Sequence, residues 1–354
     1  MASVKKTTVR APCRIDLAGG TVDLWPLYLH LGGLELVHMA IDVHATVDIE
    51  QEKSKKSLVI EIESADLKRT AKYGSLRELE ESLVHTTDRN PLRWVGRVVH
   101  QKVKSSGFLG RLHVKTRSDA PPGSGLGGSS VLGIALGRAL ESSLLVPAKR
   151  SNPWNLQQEI RDLEAAEIEH PAGDQDYVPA LFGGLLVLKL GPNHREIEQL
   201  SKKTARAVGD TSALLYTGKP HHSGLNNWQI FRAFHEGDSR VKKSLGAIRD
   251  LSGHLAQLLR THGEKSVYEA LPDLLNEEWN ERLRLSPAVN AAVLDEAWTF
   301  ARGQNAIARK ACGAGGGGCL LVLFKSPEAK AIALGKKLPR NEWRWLSTTP
   351  AYVK

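Results

Sequence analysis

The sequence predicts an α+β protein of two domains. The chain has 354 residues, and at roughly 150 residues per domain this length indicates about two domains. Hydrophobic residues make up 41% and charged residues 25% of the chain, which is ordinary for a globular protein with packed cores. The predicted strands and helices follow one another in mixed order, without a strict strand–helix–strand alternation, and this favours the α+β class.

The first half of the chain holds the clearest strand and three helices. Apolar and polar side chains alternate over residues 37–49, which is the pattern of a long half-buried strand. The helix predicted over residues 154–169 begins with Asn152 as its N-cap and Pro153 at its first position. The remaining elements predicted here are strands at residues 58–62, 111–116 and 185–190, and helices at residues 91–103 and 131–144.

A polar stretch, residues 192–210, follows these elements, and we place the domain boundary within it, which gives domains 1–204 and 205–354. In the second domain, apolar residues recur every three or four positions between Val241 and Leu258, which predicts a long amphipathic helix. The other elements predicted here are strands at residues 213–217 and 319–324, helices at residues 287–301 and 327–338, and a last strand that places Trp343 and Trp345 in a core.

Composition excludes several classes of protein. No run approaches the ~18 apolar residues of a membrane helix, and charged residues between positions 10 and 16 interrupt any signal-peptide core. We therefore expect a soluble cytoplasmic protein with no membrane partner. Three cysteines without a CxxC pair supply no disulfide framework and argue against structural zinc. The net charge of +9 attracts anions, but no dense basic tract points to nucleic acid, so we expect no nucleic-acid partner.

Two glycine-rich segments, residues 123–128 and 313–318, match the dinucleotide pattern GxGxxG. The first does not directly follow a strand, and Glu141, at the distance of the ribose-binding acid, falls inside a predicted helix. A dinucleotide site is therefore disfavoured, and the Walker A sequence is absent. The glycines of residues 122–130 still allow a nest of backbone N–H groups at the start of a helix, with serine hydroxyls beside it, which predicts phosphate binding. The alternative is a tight turn with a serine N-cap.

Four segments, in this order, resemble the signature motifs of the GHMP kinase superfamily, which includes galactokinase, homoserine kinase and mevalonate kinase. They are RAPCRIDLAGGTVD at residues 10–23, PPGSGLGGSS at 121–130, GDQDY at 173–177 followed by FGG at 182–184, and KACGAGGGGCLL at 310–321. The first and last are typical of the heptose-7-phosphate kinase and fucokinase branch. This sequence departs from the usual motifs of that branch at Thr21, Val22 and Gly128, and these differences leave the identity of the sugar open.

The resemblance implies a ribosomal-protein-like N-terminal α/β domain that binds ATP and a ferredoxin-like C-terminal domain. It implies that the ATP phosphates bind a loop that consists of Pro122, Gly123, Ser124, Gly125, Leu126, Gly127, Gly128, Ser129 and Ser130. It also implies that Mg²⁺ is bound by Ser129 and Glu164, a hydroxyl and a carboxylate of the kind that this ion prefers.

The same resemblance assigns catalytic roles to Asp176 and Arg14. A carboxylate beside the acceptor hydroxyl takes its proton or orients it, and an arginine nearby keeps that carboxylate ionised or stabilises the transferring phosphoryl group. Both roles stay open for Asp176. Asp174 is a close competitor, and the order Gln-Asp favours Asp176.

The resemblance also implies a sugar site, with Asp23 accepting hydrogen bonds from sugar hydroxyls. The other substrate-binding residues predicted are Gly19, Gly20, His38, Gly315 and Gly316. Residues 221–228 form either a polar loop with an N-cap or a contact to the acceptor.

We expect an ATP-dependent, Mg²⁺-dependent kinase for a sugar or sugar phosphate, as a monomer or homodimer. The alternatives are a catalytically silent sensor of sugar and ATP, and a mevalonate-pathway kinase or decarboxylase of the same superfamily.

Overall fold

The structure, a computed structural model, describes residues 4–84, 90–192, 194–220, 223–286, 289–313 and 315–353. Its contacts divide the chain into two compact, interleaved units. The first unit consists of Met1–Ala11, His44–Asp119 and Ser129–Glu169, and the second unit consists of Pro12–Val43, Ala120–Gly128 and His170–Lys354. The chain therefore passes between the units several times.

Strands and helices are mixed along the chain, which confirms the α+β class. The strands are β1 (Lys5–Ala18), β2 (Leu34–Lys53), β3 (Leu58–Ser64), β4 (Arg69–Tyr73), β5 (Gly110–Ser118), β6 (Leu185–Leu190), β7 (Arg195–Gln199), β8 (Ser212–Tyr216), β9 (Ala306–Ala311), β10 (Cys319–Phe324) and β11 (Arg344–Leu346). The helices are α1 (Leu27–His30), α2 (Leu76–Val84), α3 (Arg93–Ser106), α4 (Gly128–Leu144), α5 (Pro153–Ile168), α6 (Tyr177–Phe182), α7 (Lys202–Thr211), α8 (Ser223–His235), α9 (Ser239–His262), α10 (Glu264–Glu269), α11 (Leu271–Leu285), α12 (Ala292–Gly303) and α13 (Pro327–Leu334).

In the first unit, the second half of β2 pairs antiparallel with β5, β5 pairs parallel with β3, and β3 pairs antiparallel with β4. Helices α4 and α5 approach closely, because an alanine Cβ at Gly133 would lie 2.6 Å from Ile160 and one at Gly137 would lie 2.7 Å from Leu156. Asn152 caps α5 by accepting a hydrogen bond from the backbone of Asn155 at 2.9 Å, as predicted.

The exposed face of this sheet alternates in charge from strand to strand. Acidic residues of β2 lie opposite basic residues of β5, with Asp48 opposite Lys115. The ammonium of Lys115 also pairs with Glu63 of β3 at 2.8 Å. Cross-strand pairs of opposite sign stabilise a sheet surface.

In the second unit, the first half of β2 pairs antiparallel with β6, which pairs antiparallel with β7. A separate antiparallel sheet has the strand order β11-β8-β10-β9, and with its helices it agrees with the ferredoxin-like arrangement that the resemblance implies. Leu215, Val322 and Leu294 lie in the core of this sheet. Trp343 and Trp345 pack against the same core, which confirms their interpretation.

Several elements differ from the sequence predictions. Residues 192–210, predicted as a polar spacer, hold β7 and α7, and the boundary predicted between residues 204 and 205 falls inside α7. The predicted helix 287–301 is observed as Ala292–Gly303, and residues 287 and 288 lie outside the described part of the chain. Strand β1 was not predicted, because its second half is buried on both faces together with its polar residues and shows no alternation.

Among the other elements that have no counterpart in the predictions are α11 and β9. Both contribute to the surroundings of the candidate site described below. Among the described residues, no helix has both the length and the apolar character needed to cross a bilayer.

Candidate active site

Arg14 of β1 joins two segments of the second unit that are far apart in sequence. Its Nη1 donates a hydrogen bond to the carbonyl oxygen of Gly125 at 2.6 Å, and its Nη2 forms an ion pair with Asp176. Its backbone N–H donates to the carbonyl oxygen of Leu126 at 3.4 Å. Burial by itself would lower the pKa of Arg14, but Asp176 and Asp16 outweigh it and raise that pKa above its ordinary value. Arg14 therefore stays charged between the glycine loop and the carboxylate.

Asp176 immediately precedes α6, and its side chain is 26% exposed. Gly127 lies directly against it, since an alanine Cβ at Gly127 would come 2.7 Å from Asp176 Oδ1. Gly127 also has a φ of +76°, which side chains other than glycine rarely adopt. The glycine thus allows the Asp176 carboxylate to lie beside the predicted phosphate loop.

Asp174 has different surroundings. Its side chain is almost fully buried and pairs with Arg195 at 3.1 Å. Of the two competing aspartates, Asp176 is the one in contact with the loop and partly open to solvent, so the geometry supports the choice of Asp176 for the reacting carboxylate.

The predicted phosphate loop has the backbone of an anion nest. Gly123, Gly125 and Gly127 all have positive φ values, +64°, +78° and +76°, with a non-glycine residue between each pair. The loop leads into the N-terminus of α4, where the helix dipole favours an anion. Of the three serines predicted to offer hydroxyls, Ser124 and Ser130 are buried and Ser129 is exposed.

The second glycine-rich segment packs against this loop. The N–H of Cys319 donates to the carbonyl oxygen of Ser124 at 2.9 Å, and an alanine Cβ at Gly318 would lie 2.7 Å from the carbonyl oxygens of Gly123 and Ser124. Gly315 and Gly316, predicted to bind substrate, both lie against Val289. The observed contacts of this segment are thus with the phosphate loop, which it supports, and with Val289.

Asp23 is buried in the second unit next to the segment that carries Asp176. Its Oδ2 accepts a hydrogen bond from the backbone of Gln175 at 2.9 Å, while its Oδ1 has no hydrogen-bond partner among the described residues. Burial, together with repulsion from Asp174 and Asp176, raises the pKa of Asp23 to about 7. An acceptor oxygen that lacks a donor is what a sugar hydroxyl would satisfy.

The remaining residues predicted for the sugar site are enclosed by protein. His38 is fully buried and neither ring nitrogen has a partner in the described structure; burial lowers its pKa to about 3, so the ring is neutral. A Cβ at Gly19 would meet Ser252, and one at Gly20 would meet Gln175 and Arg282. The two glycines thus make room for protein side chains.

The site residues of the first unit are Ser129 and Glu164. Ser129 lies in the first turn of α4, where its carbonyl oxygen accepts a hydrogen bond from the indole of Trp94 at 3.1 Å. Glu164 lies on α5 and is almost fully buried. His221 and His222, which the sequence offered as acceptor contacts, lie outside the described residues.

Sequence reasoning missed a set of buried charges in contact with residues 20 and 21, shortly before Asp23. We call it the buried charge cluster; it consists of Asp16, Glu278, Arg282 and Lys310. Asp16 and Lys310 belong to two of the signature motifs but were assigned no role, and α11, which carries Glu278 and Arg282, was not predicted. The apolar spacing of residues 271–285 and the four-residue separation of Glu278 and Arg282 were available signals.

The pH dependence of stability provides a test of the Asp23 environment. A carboxyl whose pKa is raised in the folded state stabilises the fold below its ordinary pKa of 3.8, and this stabilisation is lost as the pH rises through about 7. Asn at position 23 cannot ionise, so Asp23→Asn does not lose this stabilisation as the pH rises. We therefore expect the free energy of unfolding of Asp23→Asn, relative to that of the wild type, to increase by about 2 kcal/mol between pH 5 and pH 8. Urea unfolding at both pH values measures the gain.

The exposed variant Asp250→Asn serves as the control, and His38 contributes equally to both proteins. A difference between Asp23→Asn and the wild type that is the same at pH 5 and pH 8 would contradict the raised pKa.

An anion nest with a carboxylate in contact with it suits the transfer of a phosphoryl group to a hydroxyl. Fold and site therefore define a class, the small-molecule phosphotransferases. Comparison with known families identifies the family within this class. Residues 93–184 match the GHMP kinases N terminal domain, and residues 256–338 match the GHMP kinases C terminal family. The chain belongs to the GHMP kinase superfamily.

Similar proteins include kinases of two substrate classes. A D-glycero-alpha-D-manno-heptose 7-phosphate kinase of Campylobacter jejuni is 24% identical over 332 residues, which cover 92% of this chain and 91% of that protein. A mevalonate kinase of Arabidopsis thaliana is 30% identical over 224 residues, 60% of this chain and 56% of that protein. The crystal structure of a D-glycero-D-manno-heptose 1-phosphate kinase from Bacteroides thetaiotaomicron has the same fold, with a TM-score of 0.68 at 20% identity over 94% of this chain and 91% of that one.

Proposed function

We propose that this protein is an ATP-dependent kinase that phosphorylates a hydroxyl of a sugar phosphate, with D-glycero-D-manno-heptose 7-phosphate as the acceptor. The observation that carries the proposal is the contact of the Asp176 carboxylate with Gly127 of the nest, with Arg14 bonded to both segments. The relative from Campylobacter jejuni, matched over nearly its whole length, supports the heptose phosphate.

In this proposal the nest holds the phosphates of ATP by backbone N–H groups, and Asp176 meets the acceptor hydroxyl. The hydroxyl oxygen bonds to the γ-phosphorus as the bond from that phosphorus to the β,γ-bridging oxygen breaks. The hydroxyl proton passes to Asp176, or Asp176 orients the hydroxyl and the proton leaves with the product. ADP and the phosphorylated sugar are the products.

Arg14 has three functions in this scheme. Its ion pair holds the carboxylate of Asp176, the proposed proton acceptor, in place. Its bond to the Gly125 carbonyl fixes that carboxylate relative to the phosphate loop. The charge of the guanidinium also favours the negative charge of the transferring group.

Mg²⁺ would be bound by Ser129 and Glu164. Their donors fit this ion, because Mg²⁺ prefers oxygen ligands and keeps several waters, so that one hydroxyl and one carboxylate suffice. Ser129 is exposed at the helix start and available for such a contact. The ion, when bound, neutralises phosphate charge.

The metal assignment predicts the behaviour of two variants. Ser129→Ala and Glu164→Gln should each raise the Mg²⁺ concentration needed for half-maximal activity, by about tenfold or more. The first variant removes a hydroxyl ligand, and the second replaces a charged carboxylate with a neutral, weaker amide oxygen. Activity is measured against MgCl₂ at fixed ATP, with Glu159→Gln of the same helix as control. An unchanged Mg²⁺ dependence in both variants would contradict the assignment.

An assay of ADP release with a panel of acceptors tests the proposed function. D-glycero-D-manno-heptose 7-phosphate should give the highest kcat/KM, above that of heptose 1-phosphate, galactose and fucose. Mevalonate belongs in the panel because a mevalonate kinase is among the similar proteins. Stabilisation by sugar and ATP without ADP release would favour the silent sensor, and release of CO₂ from diphosphomevalonate would favour the decarboxylase.

Other proposals follow from the family. The matched segments lie on either side of residue 205, which supports the proposed domains 1–204 and 205–354. Dependence on ATP fits the cytoplasmic location expected from the sequence. The monomeric or homodimeric state stays a prediction.

A further inference from the structure

The buried charge cluster of the second unit connects three segments that are distant in sequence. Arg282 Nη2 and Lys310 Nζ both contact Asp16 Oδ2, at 2.9 and 3.0 Å. Arg282 Nε and Lys310 Nζ also contact Glu278, at 2.9 Å each. All four side chains are almost fully buried. Two cations and two anions balance within the cluster, which is the condition under which buried charges are tolerated.

Arg282 also contacts residues outside the buried charge cluster. Its Nη2 donates to the carbonyl oxygen of Gly20 at 2.9 Å, and its Nη1 lies 3.3 Å from Thr21 Oγ1 and 3.5 Å from the carbonyl oxygen of Gly313. The guanidinium therefore holds the start of the loop that ends at Asp23, and it also reaches the glycine segment that packs on the phosphate loop.

The loop needs such a contact because its backbone is strained. Thr21 has a φ of +71°, a left-handed conformation that is strained for a residue with a β-branched side chain. Such a residue persists only where its surroundings hold it. Arg282 contacts Thr21 and the preceding residue, Gly20, and Asp23 follows two positions later.

We propose that Arg282 is a positioning residue for the acceptor, which fixes the loop of residues 20–23 and thereby the direction of the Asp23 carboxylate. The inference rests on the proposed function, in which Asp23 binds the sugar hydroxyls. Arg282 itself touches no substrate. Its planar fork of five donors serves Asp16, Glu278 and the loop at once, and the ammonium of a lysine lacks that geometry.

Arg282→Lys is the informative variant because it keeps the charge balance of the cluster and removes the fork. We expect KM for D-glycero-D-manno-heptose 7-phosphate to rise about tenfold, since contacts to the Gly20 carbonyl and the Thr21 hydroxyl are lost. KM for ATP should stay within about twofold of the wild type, because Arg14, and not Arg282, contacts the phosphate loop. The control is Arg284→Lys, an exposed arginine two positions along the same helix.

Hydrogen exchange supplies a readout that needs no turnover. In Arg282→Lys the amides of residues 19–24 should exchange faster, while those of residues 123–128 should keep the wild-type rate. Equal acceleration in both segments, or an equal rise of both KM values, would show general loosening of the fold and would overturn the positioning role. Unchanged KM and exchange would overturn it as well.

A second pair of variants leaves the charged groups intact. Thr21→Ser keeps the hydroxyl that faces Arg282, and Thr21→Ala removes it. The acceptor KM should stay near the wild type in Thr21→Ser and rise several-fold in Thr21→Ala; equal values in the two would contradict the contact. If the wild type and Arg284→Lys both fail to use the heptose phosphate, the proposed acceptor is wrong, and the exchange experiment still decides the role of Arg282.

Discussion

Asp176→Asn should lower kcat by about two to four orders of magnitude, because an amide cannot accept the proton of the acceptor hydroxyl. Asparagine has nearly the same shape, so the contact with Gly127 and the loop it belongs to should be preserved. The affinity for ATP should therefore change little. Initial rates of ADP release give kcat, and calorimetric titration with ATP gives the affinity.

The matched control is Asp250→Asn, an exposed aspartate whose side chain is 68% open to solvent and pairs only with its neighbour Arg249 among the described residues. Thermal unfolding of both variants separates catalysis from stability, since Asp176→Asn also leaves the buried Arg14 without its ion-pair partner. Nearly full activity of a folded Asp176→Asn protein would remove this carboxylate from the mechanism.

Gly125→Ala should abolish measurable ATP binding. Gly125 has a φ of +78°, and an alanine Cβ there would come 2.8 Å from the carbonyl carbon of Cys312 and overlap its oxygen. The strain of the left-handed backbone and the clash with another backbone segment act together, and neither is relieved by a side-chain rotation. The nest would open, and we expect the ATP dissociation constant to rise by at least about a hundredfold.

Gly246→Ala on α9 is the control, since a Cβ there meets open space. Circular dichroism shows whether Gly125→Ala keeps its secondary structure, and titration with ATP and with ADP shows whether the loss concerns the phosphates. Wild-type affinity in a folded Gly125→Ala protein would mean that the phosphates bind elsewhere.

Local patterns predicted much of the fold. The glycine and serine run at residues 122–130 indicated an anion nest, and the three alternating positive φ values of the structure agree with it. The alternation of residues 37–49, the cap of α5 and the apolar spacing of α9 are also local signals, and each corresponds to an observed element. Such signals depend only on neighbours along the chain.

The buried charge cluster shows what local patterns cannot predict. Glu278 and Arg282 are four residues apart on a helix, which in a sequence is the spacing of an ordinary solvent-exposed ion pair. Their burial depends on Asp16 and Lys310, which lie 266 residues before Arg282 and 32 residues after Glu278. The choice between Asp174 and Asp176 is similar, since only the fold shows which of them is paired with Arg195.

The raised pKa of Asp23 has a consequence for ligand binding. In the unliganded protein this acid carries its proton about half of the time near neutral pH. Alcohol groups that donate to it favour the charged form, so the arrival of the proposed acceptor expels a proton into the solvent. The measured heat of that association then depends on the ionisation enthalpy of the buffer, and the affinity weakens in acid.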